Sequence, residues 1–415
     1  MNIYGIIILI ALIFEFALEL LANLLNLRSI TFKLPPVLDG IYKIDEYQKS
    51  QEYIKTRTIF SLVHMTINLL VLLFIWFTGC FNLLDQLIRS WNLPIIVTGI
   101  LYTGILLLAY EIFTSPFKIY DTFIIEERFG FNKTTKLTFL VDQFKGLGLA
   151  LVLGLPVLAA ILWLFEYVGS YAWLYCWIMV TLFSLIMQYV APTWILPLFN
   201  KFTPMESGEL KEAIMNYIKA VKFPVKNIFV MDGSKRSRKS NAFFTGFGRN
   251  KRIALFDTLI AKHDTGELVA ILAHEVGHYK KKHITQGLII SIIHTGILFL
   301  LLSIFLGSPG LYQAFNMQEQ SVYVGLLFFG LLYTPIEVIL SIFMNILSRK
   351  NEYEADRFAM ETTENPNFLV EALKKLHTTN LSNLTPHPFY VFLNYSHPPL
   401  LQRVQAIQNM TYKKY

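Results

Sequence analysis

The sequence predicts a mainly α-helical integral membrane protein, with seven transmembrane helices around a wet interior and a small cytoplasmic α/β unit. Three observations predict it. The chain is 54% hydrophobic and only 16% charged over 415 residues, too apolar for a soluble chain of this length. Seven stretches reach the roughly 20 apolar residues needed to cross a bilayer. Of the 36 Lys and Arg, 35 fall in the loops after stretches one, three and five and in the C-terminal tail, and only Arg89 lies on the other side. A wrong count of spans would scramble that alternation. The positive-inside rule then places the N-terminus outside and the C-terminus in the cytoplasm.

The spans are expected at 3–25, 58–83, 94–114, 146–168, 172–194, 286–306 and 322–345. The first lacks a basic start and a small-residue cleavage site and carries Glu15 and Glu19, so it reads as a retained span. Glu15, Glu19, His64, Asn68, Glu111, Glu166, Gln188, His294 and Glu337 lie inside spans. Such residues are costly in hydrocarbon, and together they favour a wet interior over a tightly packed bundle. Cys80 and Cys176 sit in apolar runs and suggest neither a disulfide framework nor a thiolate metal site. The net charge of +7 is accounted for by basic cytoplasmic loops, so no nucleic-acid partner is expected.

The chain divides into 1–194, with spans one to five; 195–285, a cytoplasmic unit; 286–345, with spans six and seven; and 346–415, a cytoplasmic C-terminal part. In the 195–285 unit an amphipathic helix opens at Ser207-Gly208-Glu209 and runs to about 222. A strand follows over 227–231. Residues 241–247 and 252–256 can pair as a hairpin across Gly248-Arg249-Asn250. A further helix begins near Thr265 and can continue past the Lys280-Lys281-Lys282 cluster into span six. That cluster belongs at the cytoplasmic interface and fixes the depth of the residues just before it.

Those residues are His274-Glu275-Val276-Gly277-His278, an H-E-x-x-H run. Positions four apart on a helix share a face, so both imidazoles can reach one metal ion. Glu275 is placed to take a proton from the attacking water. A catalytic zinc site takes three protein ligands and an open position. After span seven, Glu352 and Asp356 are four apart on a predicted helix. Glu352 is the expected third ligand, and Asp356 is expected to hold the second nitrogen of a ligating histidine. The metzincin pattern fails, because Ile284 and Lys281 stand where it needs His and Gly. His283 lies roughly 140° from His278 on an unbroken helix and is expected not to ligate. His397 and Arg403, on the same side, are candidate donors to a tetrahedral oxyanion. Read alone, His397 is better taken as a loop residue braced by prolines and Arg403 as an exposed helix residue.

The chain resembles the type 1 CAAX prenyl protease family. The resemblance rests on T-F-I-I-E-E-R-F-G-F-N-K at 122–133, N-K-F-T-P at 200–204, G-S-K-R-S at 233–237, S-N-A-F at 240–243 and the run at 251–258. The H-E-x-x-H run and the stretches at 351–359 and 395–403 complete it. It implies seven transmembrane helices around a water-filled chamber with a cytoplasmic α/β zinc-protease unit. It implies one zinc ion on His274, His278 and Glu352, Glu275 as general base, and Asp356 behind the ligands. His397 and Arg403 become transition-state or substrate contacts, and Asn241 and Ala242 belong to an edge strand that holds substrate backbone. The implied partners are the lipid bilayer and a peptide or protein substrate, prenylated or membrane-associated. The short chain and small outward loops favour a bacterial inner membrane over the endoplasmic reticulum. Two other readings compete: a quality-control zinc protease without prenyl specificity, and a non-enzymatic seven-span receptor or transporter.

Overall fold

The computed structural model describes residues 1–34, 43–225, 227–245 and 252–412. Among them seven helices are long and apolar enough to cross a membrane: Ile3–Ser29, Ile44–Phe77, Ile95–Arg128, Lys136–Tyr167, Gly169–Phe199, His283–Leu306 and Val322–Thr362. Each coincides with an expected span, and the differences have physical causes. Span two ends at Phe77, because Gly79 takes a left-handed φ of 74° and starts a separate helix at Cys80. Spans two, three, four and seven run on as helix into polar sequence beyond the hydrocarbon-length stretch, so the limit expected at 345 falls inside one continuous helix.

The spans pack tightly at one end. At the end remote from the H-E-x-x-H run, all seven contribute to one apolar core, among them Leu12, Trp76, Tyr102, Leu162, Cys176, Phe299 and Phe328. There Arg89, the lone basic residue of that face, bonds buried Asp85 (Nε–Oδ2 2.8 Å), which also accepts from the Tyr323 hydroxyl at 2.5 Å. In the middle of the spans packing stops. No residue is fully buried over 13–21, 59–75, 103–113, 136–161, 177–191, 284–295 or 334–351. Tight packing at the remote end with no fully buried side chain midway leaves room for the wet interior that the sequence predicts. All the polar residues named in the spans except Glu166 lie in this zone, several with polar partners: Glu111 with Lys118 and Gln143, and His294 with Tyr333 and Glu337. Cys80 and Cys176 are free thiols.

The second core sits at the other end, around a four-stranded sheet of order β1-β2-β4-β3. β1 is Phe202–Pro204, β2 Asn227–Met231, β3 Ala242–Thr245 and β4 Arg252–Phe256. β1 and β3 run antiparallel to their neighbours, and β2 pairs with β4 in parallel. The two inner strands bury Ile228, Met231, Ile253, Ala254 and Leu255, while β3 is left as an edge. The turn expected at Gly248-Arg249-Asn250 lies outside the described residues. The amphipathic helix Glu209–Ala220 puts Ile214, Tyr217 and Ile218 into this core.

The helix Thr265–Lys280 lies between the sheet, the helix Asn367–Thr379 and the extension of span seven. It does not continue into span six, as the sequence allowed. Lys281 ends it, Lys282 takes a left-handed φ of 62°, and a new helix begins at His283.

Candidate active site

Two helices build the site. The first starts with a capping box, in which the Asp264 side chain takes the Glu267 backbone N–H and the Glu267 side chain takes the Asp264 N–H. Leu268, Ile271, Leu272 and Val276 anchor it in the core. Small residues let it approach span seven closely. A Cβ on Gly277 would stand 3.0 Å from both the Cα and the carbonyl oxygen of Ala355. On span seven, Glu352, Ala355, Asp356 and Ala359 are all buried, at spacings that make one helical face.

This contact brings His274, His278 and Glu352 together, with ligand atoms all within 4.8 Å of one another. His274 Nε2 lies 3.4 Å from Glu352 Oε2, and His278 Nε2 lies 3.3 Å from Glu352 Oε1. The two Nε2 atoms are 3.2 Å apart. Behind them, His274 Nδ1 meets Asp356 Oδ1 at 2.8 Å. Arg403 clamps the same carboxylate with Nε at 2.8 Å and Nη2 at 2.5 Å, and its Nη1 lies 3.3 Å from Glu352. Burial alone would discharge His274, but Asp356 and Glu352 outweigh it and push its pKa up to about 9. Burial likewise opposes the charge on Arg403, and Asp356, Glu352 and Glu275 hold it in place. Nearby His377 is buried beside the positive charge of Arg403, and its pKa is pushed down to about 4, so it stays neutral.

Glu275 and His397 open onto a cavity of about 430 Å³ beside the two histidines, lined also by Ile284, Met344 and Leu347. The His397 side chain is 65% exposed, with Nε2 3.3 Å from Glu352 Oε1 and Nδ1 2.9 Å from Ser396 Oγ. Arg403 does not line this cavity and is 5% exposed. Its nitrogens are spent on Asp356 and Glu352, which speaks against the substrate contact expected of it. β3 packs against the Thr265–Lys280 helix. At its start, Asn241 Oδ1 accepts the Ala242 N–H at 2.9 Å.

Comparison with known proteins places the chain. Residues 4–201 match the model of the CAAX prenyl protease N-terminal region with five membrane helices, and residues 204–411 match the model of peptidase family M48. The chain belongs to peptidase family M48. It is 36% identical to the CAAX prenyl protease 1 homolog of Arabidopsis thaliana over 407 residues, 95% of this chain and 96% of the relative. With CAAX prenyl protease 1 of Saccharomyces cerevisiae it shares 35% identity, covering 92% of this chain and 90% of the relative. The crystal structure of S. mikatae Ste24p superposes with a TM-score of 0.91 at 33% identity, over 98% of this chain and 99% of that one. This M48 peptidase is therefore a membrane metalloendopeptidase, and the receptor or transporter reading falls away.

An M48 peptidase requires a metal, and the residues present suit one. A metal must displace the proton that a pKa of about 9 keeps on His274; with Nδ1 still donating to Asp356, Nε2 then presents a lone pair beside Glu352 and His278 Nε2. Glu352 Oε2 is buried and makes no hydrogen bond. Arg403 Nη1 pairs with that oxygen from behind at 3.3 Å, and imidazole lone pairs converging on the carboxylate from the cavity side call for a second cation there.

Three supports escaped the sequence reading. His283 was set aside on an angle that assumed an unbroken helix. With the break at Lys282, its Nδ1 comes within 3.1 Å of His278 Nδ1. Asn380 holds both backbone groups of Ser240 at the entry to β3, at 3.0 and 3.1 Å. Arg349 and Asn345 of span seven bond the carbonyls of Val391, Tyr395 and Leu393, just ahead of His397. No local pattern marks Asn380, whereas Asn345 and Arg349 are four apart on one helix face.

Proposed function

We propose that this M48 peptidase is a zinc endopeptidase that cleaves prenylated or membrane-associated peptides at the cytoplasmic face of its membrane. The observation that carries the reading is the convergence of His274, His278 and Glu352 at the wall of a cavity that Glu275 and His397 also line. Two imidazoles, one carboxylate and an open side match the donor set of catalytic zinc. Zinc held there supplies Lewis acidity toward the scissile carbonyl and the attacking water.

The remaining roles belong to the chain. Glu275 takes a proton from the attacking water and returns it to the leaving amine. Ser396 can donate to His397 Nδ1, which leaves the hydrogen on Nε2; that nitrogen lies 3.3 Å from Glu352 Oε1 at the cavity wall and can turn from there to the carbonyl oxygen when charge develops. Arg403 acts from behind, holding Asp356 and Glu352 in place. The β3 edge at Asn241 and Ala242 can receive an extended substrate as an added strand, presenting its carbonyl in a set register. The placement of Lys and Arg supports the cytoplasmic orientation. The names of the relatives and the apolar wall at Ile284, Met344 and Leu347 support a lipidated or membrane-bound substrate.

Two measurements on the purified protein test this. Glu275→Gln should keep zinc and lose cleavage; an active variant removes the general-base assignment. Cleavage rates for a prenylated peptide, its unprenylated twin and a misfolded membrane protein test the substrate class. Preference for the misfolded chain would make this a quality-control protease instead.

A further inference from the structure

The two metal-facing histidines need the same thing: a bare Nε2 toward Glu352, and therefore a hydrogen on Nδ1. For His274 the partner is Asp356, backed by Arg403. For His278 the structure holds a different device. His278 Nδ1 lies 3.1 Å from His283 Nδ1, and His283 Nε2 lies 3.2 Å from Glu354 Oε2. The two rings stand 5.2 Å apart at 73°, and His283 is 9% exposed. We propose that His283 and Glu354 form a hydrogen-bonded relay that fixes the tautomer and ring orientation of His278, so that His283 is a positioning residue for the metal centre.

The direction of the relay follows from its carboxylate end. An ionised carboxylate only accepts, so His283 Nε2 carries the hydrogen given to Glu354. A neutral His283 then has a bare Nδ1, which must accept. His278 Nδ1 must therefore donate, and a neutral His278 is left with a bare Nε2, which faces His274 Nε2 and Glu352. Partners of this kind on the outer nitrogen of a ligating histidine set its tautomer and basicity. Here the partner is supplied across a helix break. On a continuous helix, five residues would carry His283 well round from His278. The left-handed Lys282, a conformation that non-glycine residues seldom adopt, turns the new helix so that its first side chain points back. Glu354 comes from span seven, two residues after Glu352. It is 40% exposed on its side chain and lies 4.0 Å from Lys350, so it is the adjustable end of the relay.

The inference rests on His278 being a zinc ligand, and the test separates the two claims. Full-length protein in detergent is stripped of metal and titrated with zinc against a competing chelator. His283→Leu should weaken zinc binding by about 10–100-fold, the usual effect of removing such a partner, and Glu354→Ala should weaken it less. His283→Gln keeps one acceptor and one donor and should recover most of the loss, which a purely space-filling role would not predict. The double variant His283→Leu with Glu354→Ala should bind no more weakly than His283→Leu alone, because the two act through one path. Wild-type affinity in His283→Leu, with binding lost in a His278→Ala control, overturns the relay and leaves the zinc reading intact. If wild-type protein or the His278→Ala control behaves otherwise, the zinc reading itself fails and the relay with it. Should His283→Leu not fold, Glu354→Ala decides, and an unchanged affinity there overturns the proposal.

Discussion

Gly277, inside the H-E-x-x-H run, is the point where the histidine helix touches span seven, and Gly277→Ala tests whether that contact sets the metal site. An added Cβ would lie 3.0 Å from the Ala355 Cα and 3.0 Å from its carbonyl oxygen, with the Ala355 Cβ at 3.3 Å. The two nearest atoms are backbone, so no side chain can swing away and the helices must part by a few tenths of an ångström. Overpacking of this kind costs about 1–3 kcal/mol, partly offset by about 1 kcal/mol of helix propensity gained over glycine. Net stability should therefore fall by no more than about 2 kcal/mol. The metal site should suffer more. His274 and His278 ride on one helix and Glu352 on the other, so any separation opens the ligand triangle directly. The assay pairs thermal unfolding of the metal-free variant with zinc titration against a chelator. A small drop in melting temperature with at least about tenfold weaker zinc binding is expected, comparable to losing a supporting partner. Wild-type zinc affinity in Gly277→Ala would refute the idea that this close approach sets the ligand geometry.

Two further outcomes follow from the charges behind the ligands. Arg403→Ala leaves Asp356 and Glu352 buried without their cation and should cost about 3–5 kcal/mol of stability, read as a lowered melting temperature, and Arg403→Lys should rescue little, because one ammonium cannot reproduce the two-point clamp on Asp356. The raised pKa of His274, about 9 in the folded metal-free protein against about 6.5 unfolded, has a definite sign. The bound proton stabilises the folded state fully below about pH 6.5, and that stability is lost as pH rises through about 9, on the order of 3 kcal/mol in all. Metal-free protein should thus melt lower at pH 9 than at pH 6.5, while zinc, which must displace that proton, binds more tightly over the same rise. Zinc uptake independent of pH, with no proton release in calorimetry, would contradict this.

Much of this molecule could be read from the chain because the signals are local. Hydropathy marks the seven spans, and four-residue spacing puts His274 with His278 and Glu352 with Asp356. What escaped depends on breaks and on distant partners. His283 is not among the three converging ligand residues, as expected, but the helix arithmetic that set it away from His278 held only if the backbone ran straight past Lys282, and three consecutive lysines do not announce a left-handed residue. Span two ends at Phe77 and not at 83 because Gly79 interrupts an otherwise apolar stretch. Asn380 and Ser240 are 140 residues apart, and Arg349 meets Tyr395 across 46. Such pairs exist only once the chain has folded. Arg403 was legible as a candidate functional residue, but its burial against Asp356 was not.

The central claim is that His274, His278 and Glu352 hold a catalytic zinc ion. Metal analysis of purified wild-type protein beside Glu352→Ala tests it most directly. The account predicts close to one zinc per wild-type chain and little in the variant. Wild-type protein without zinc, or a Glu352→Ala variant that retains it in full, would contradict the account.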